Sequence, residues 1–131
     1  MNREYIYKKR GRLFMKLGQV AVNVDNVERA VAFYRDVIKL SLLFEMDGLA
    51  FFQCGDTRLL LSRPEREEFN HPSSVLYFQV DDLNSEFSRM KDAGATFIDE
   101  PHMVAKVGDT ETWMVFFKDT EGNTHALMNE R

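Results

Sequence analysis

One cysteine, three prolines, three histidines and one tryptophan are spread over 131 residues, and no apolar run approaches the ~20 residues of a membrane span. A lone Cys54 cannot form an internal disulfide framework, and the absence of any Cys/His cluster with zinc-site spacing removes a structural zinc module. His71, His102 and His125 are too far apart in sequence for spacing alone to put two of them on one helical turn or strand face. No serine sits in a nucleophile-elbow sequence, and no glycine-rich phosphate loop is present. Cys54 lies in a turn, Gln53-Cys54-Gly55-Asp56, without nearby cationic residues to make it a nucleophile. These absences argue against covalent and phosphate chemistry and lead to the expectation of a cytoplasmic protein that meets no membrane.

What is present is enough for one domain. At 44% hydrophobic and 29% charged, the chain can bury roughly two thirds of its unfolded surface around a single core. Residues 1–14 place five basic side chains against Glu4, so the remainder carries all of the net negative charge. An acidic body repels phosphates, which argues against a nucleic-acid partner. Residues 1–14 are expected to form a flexible basic extension, with Met15 as the natural start and residues 15–131 as the domain.

The domain says nearly the same thing twice. Val20, Val22 and Val24 alternate before Asp25-Asn26-Val27, and about 56 residues later Leu76, Phe78 and Val80 alternate before Asp81-Asp82-Leu83. After the first segment (17–24), Val27, Ala30, Val31, Tyr34, Val37 and Ile38 repeat at helical spacing, with Asp25 or Asn26 as N-cap. Short strands are expected at 42–45, 50–53 and 58–62, with turns at Asp47-Gly48 and Gly55-Asp56. The charged stretch 64–73 reads as a solvated linker. A second helix begins at Asp82, presents Leu83, Phe87 and Met90, and stops at Gly94; strands follow at 96–98 or a little beyond, 112–118 and 124–128. The reading is α+β: module 1 over about 16–63 and module 2 over about 74–129, each β-α-β-β-β, curving into a barrel-like sheet around a pocket.

Phe33-Tyr34-Arg35-Asp36, Val80-Asp81-Asp82-Leu83, Ala93-Gly94-Ala95 and Asp119-Thr120-Glu121-Gly122-Asn123 resemble the vicinal oxygen chelate superfamily, the glyoxalase, bleomycin-resistance and extradiol-dioxygenase group. The resemblance covers essentially residues 16–129; Thr120 replaces the usual proline of the last turn. It implies paired half-barrels, often with the site at a homodimer interface, and a divalent metal bound from the first and closing strands of each module. Carried over, those places are Gln19, Leu60, Val75 and Ala126, of which only Gln19 offers a lone pair. A divalent ion needs at least three N or O ligands to polarise a carbonyl or activate water. No metal cofactor is therefore expected. A shift of one residue would bring in His125, but it would also turn that side chain toward the helix.

Strand parity points Gln19, Asn23, Arg58, Tyr77 and Gln79 into the concavity. Either Phe51 or Phe52 joins them, and Phe52 is taken; Trp113 is assigned to the same wall, and His102, after Glu100-Pro101, is aimed there too. Aromatic surface with a few polar anchors is the usual makeup of a small-molecule site. His102 could serve as a general base, although spacing names no partner for it. The expectation is a metal-independent homodimeric protein that sequesters or carries a small organic ligand. The alternative is a metal-dependent lyase or epimerase of the glyoxalase type with non-standard ligands.

Overall fold

The computed structural model describes residues 15–131; the basic extension assigned to residues 1–14 lies outside the described residues. Strand β1 (Gln19–Asn23) buries Val22 and half-buries Val20, while Gln19 and Ala21 are exposed on the other face. Helix α1 (Val27–Phe33) covers the valine face. Asn26 caps it by accepting the Arg29 amide at 2.9 Å. The regular helix is shorter than its apolar repeat predicts: Tyr34–Ile38 form a wider π turn, closed by Lys39 in the left-handed region at φ 74°.

Strands β2 (Ser41–Met46), β3 (Leu49–Cys54) and β4 (Thr57–Ser62) complete sheet A in the order β1-β4-β3-β2, with β1 parallel to β4. A short 3-10 turn, Glu67–Phe69, interrupts the linker. Module 2 repeats the plan with β5 (Leu76–Gln79), α2 (Leu83–Asp92), β6 (Thr96–Phe97), β7 (His102–Val107), β8 (Thr110–Lys118) and β9 (Thr124–Glu130). Asp82 caps α2 through the Ser85 amide, and Gly94 follows at φ 100°, as its sequence position predicts.

Strand β7 was not foreseen. It and β6 both pair with β8, and together they stand where β2 stands in module 1. Pro101, which has no N–H to give, separates them. The carboxylate of Asp99 takes up the Phe116 amide at 2.8 Å beside the break.

One core serves both sheets. The Tyr34 ring lies 6.0 Å from Phe52 of sheet A and 6.1 Å from His125 of sheet B, and Phe33 reaches Phe117 at 6.4 Å. Tyr34, Phe52, Leu61, Leu83, Met90 and Phe117 are fully buried there, each large apolar side chain contributing about 1.5–3 kcal/mol. The α+β, two-module architecture stands, but the sheets do not close into a barrel within the chain. Their helix-covered faces share this core, so their opposite faces, here called open faces, look away from it.

Candidate functional site

The register assembles the open face of sheet A in rows. Gln19, Arg58, Gln53 and Ser41 are successive cross-strand neighbours and make a polar row. Ala21, Leu60, Phe51 and Phe44 make an apolar row beside it. The Arg58 Nε donates to Gln19 Oε1 at 2.8 Å, and its guanidinium carbon lies 4.6 Å from the centre of the Phe51 ring. A hydrogen bond on one edge and an aromatic ring on one side hold this long side chain in place.

Sheet B offers a matching face. Tyr77, Ala126 and Phe116 form one row, and Gln79, Met128, Met114 and His102 another. Tyr77 and Phe116 meet edge to face at 6.0 Å, and the His102 ring lies 6.5 Å from Phe116. His102 Nδ1 is 2.8 Å from the Glu100 carbonyl and donates to it.

The residues expected from sequence therefore divide. Gln19 and Arg58 stand on the open face of sheet A; Tyr77, Gln79 and His102 stand on that of sheet B. Asn23 shares the first face, but its amide donates to the carbonyls of Phe69 and His71, both at 2.8 Å, and so clamps the linker. Two placements are corrected. Phe52 has no exposed surface and belongs to the core, while Phe51 faces out; 49–52 is apolar at both parities, and the one polar signal in the strand was Gln53, which shares the parity of Phe51. Trp113 shares the parity of buried Val115 and Phe117, packs at the margin of the core, donates to Glu111 at 2.8 Å and lies under the Arg131 guanidinium. Phe116 takes the wall position instead. Its signal was the phase of β8, in which Val115 and Phe117 anchor the opposite side.

His125 is buried completely, on the helix side, as parity predicts for a residue next to Ala126. Its Nε2 lies 2.8 Å from the Tyr34 hydroxyl, and its Nδ1 accepts the Leu76 amide at 3.4 Å. Burial pushes its pKa below the ordinary histidine value against the opposing pull of Asp119. It cannot reach either open face.

The donor set does not fit a divalent ion at the four places implied by resemblance. Leu60, Val75 and Ala126 carry no donor atom, and the single amide oxygen of Gln19 already faces a guanidinium, whose charge repels a cation. Among the described residues, no three His, Cys, Asp or Glu side chains come together as metal ligands elsewhere. A cleft of about 560 Å³ lies at the end of β1 and is lined in part by Asn23, His71, Val75, Lys118 and Asn123.

Comparison with known proteins agrees with this fold. The family model described as glyoxalase/bleomycin resistance protein/dioxygenase superfamily matches residues 16–127. The metallothiol transferase FosB of Shouchella clausii is 27% identical over 112 residues, covering 82% of this chain and 75% of that protein. Among solved structures, lactoylglutathione lyase from Agrobacterium tumefaciens superimposes with a TM-score of 0.69 at 23% identity, covering 90% of this chain and 96% of the other. TnmS3, an antibiotic binding protein from Streptomyces sp. CB03234, superimposes with a TM-score of 0.72 at 21% identity, covering 90% and 98%.

Proposed function

The chain belongs to the glyoxalase/bleomycin resistance protein/dioxygenase superfamily, and on that premise we propose that it binds and sequesters or carries a small organic molecule without a metal ion. One observation carries the reading: Gln19 Oε1 is engaged by Arg58, while Leu60, Val75 and Ala126 fill the other places from which the family binds its ion. An aliphatic cradle can press on a ligand, but it cannot polarise one. The likeness to TnmS3, named an antibiotic binding protein, supports a binding role.

The open faces also support a homodimer. Phe44 is 54% and Tyr77 49% exposed, and each sheet supplies only one wall. A second copy that laid its sheet B over sheet A would bury both faces and enclose a pocket between Phe51 and Phe116.

Metal analysis of the purified protein, paired with thermal-shift screening of small organic compounds, tests the reading. The expected outcome is sub-stoichiometric metal with ligand-dependent stabilisation. Stoichiometric nickel, zinc, manganese or iron would instead favour a metal-dependent lyase or epimerase, as would catalysis that a chelator abolishes.

A further inference from the structure

The open face of sheet A carries one charged side chain, Arg58: the two rows described above and a third of Asn23, Ser62, Leu49 and Met46 otherwise hold only amides, hydroxyls and apolar groups. Among the described residues no carboxylate pairs with Arg58. A guanidinium has five N–H groups, and only the Nε hydrogen is spent on Gln19. The terminal N–H groups of Arg58 have no acceptor among the described residues. The Phe51 ring covers one side of the guanidinium without using its hydrogens, so the fork of terminal N–H groups stays open. Next to it runs the apolar row of Ala21, Leu60, Phe51 and Phe44, long enough for a flat body to lie against.

We propose that Arg58, positioned by Gln19 and Phe51, recognises a planar oxyanion, so that the ligand is an organic carboxylate or similar anion joined to a flat apolar body. This deepens the binding role proposed above and rests on it. Where relatives use a metal ion to hold ligand oxygens, a fixed guanidinium supplies the positive charge, and its two parallel N–H bonds suit a carboxylate. A ligand cation is repelled, and a neutral carbonyl is a weaker acceptor for the fork than a carboxylate.

Calorimetric titration of the full-length protein with cinnamate and with its neutral counterpart cinnamamide tests this, because the two share a flat body and differ in the anionic head. Backbone NMR shifts report where each binds. Cinnamate is expected to bind about tenfold or more tighter, the scale of a charge-assisted hydrogen-bond pair. In Arg58→Met that preference should vanish, because the charged fork is lost while an apolar stem of similar length is retained on an exposed side chain. Arg58→Lys should recover only part of the preference, because it keeps the charge and loses the fork. Equal binding of the two probes, or a preference that survives in Arg58→Met, would overturn the anion assignment and leave the open-face pocket standing. Failure of both probes to shift any resonance of sheet A would remove the assignment together with the binding role it rests on.

Discussion

The Tyr34 hydroxyl donates to Asp119 Oδ2 at 2.7 Å, joining a helix of module 1 to the last turn of module 2 across 85 residues of chain. The same oxygen accepts from His125 Nε2 at 2.8 Å. The Leu76 amide faces Nδ1, so Nε2 must carry the proton, and the imidazole is neutral. Asp119 also collects the amides of Glu121 and Asn123, both at 2.8 Å. The turn and the core are thus one polar network inside an apolar shell. Burial first, and Asp119 second, push the Tyr34 pKa far upward, which keeps the hydroxyl a donor at any ordinary pH.

Tyr34→Phe should cost about 1–3 kcal/mol, because it leaves buried Asp119 and His125 each short of a partner. Denaturant unfolding with an unchanged slope and a lower midpoint is the expected result. A midpoint equal to wild type would mean that the network adds nothing to stability.

Acid should weaken the fold in two steps. For His125, whose native pKa lies below the unfolded value of 6.5, stability is complete above about pH 6.5 and declines as pH falls below it, since the unfolded chain takes up the proton first. Glu121 adds a later step. Burial pushes its pKa up, but hydrogen bonds from Arg29, from the Asn26 and Asp25 amides and from Thr120 outweigh that and hold it at about 2. Its contribution is intact above its unfolded pKa of 4.5 and is lost as pH falls toward 2. Unfolding midpoints followed from pH 8 to pH 3 check both; in His125→Gln the slope near pH 6 should flatten while the lower step remains.

Phe51→Ala and Phe52→Ala separate the two faces of β3. Phe52→Ala should destabilise by about 3–5 kcal/mol through a cavity in the core. Phe51→Ala should cost about 1 kcal/mol or less, as expected away from the core, yet weaken ligand binding by removing the ring beneath Arg58. Melting temperatures and titrations of both variants would show whether stability and binding divide in this way.

Light scattering should give twice the chain mass of 15.3 kDa at micromolar concentration. Introducing a charge by Tyr77→Glu on the open face should shift the mass toward one chain without changing the circular dichroism. A wild-type protein that stays monomeric would leave each open face without its second wall.

Much of this architecture is written in local pattern. Val20, Val22 and Val24 against Gln19 and Ala21, and Leu76 and Phe78 against Tyr77 and Gln79, declare their faces because one side is apolar and the other is not. Asn26, Asp82 and Gly94 mark helix ends by chemistry that acts within a few residues. These signals are sufficient for two β-α-β-β-β modules and for placing Arg58 on an open face. Where successive positions are all apolar, as at Phe51 and Phe52 or over 113–117 of β8, local alternation gives little direction. The choice then falls to what packs against the strand from elsewhere in the fold: Tyr34 claims Phe52, and Phe33 and Phe97 claim Phe117. The widened turn at Tyr34–Ile38 and the sharing of one core by two sheets likewise depend on contacts between modules, which no local window contains.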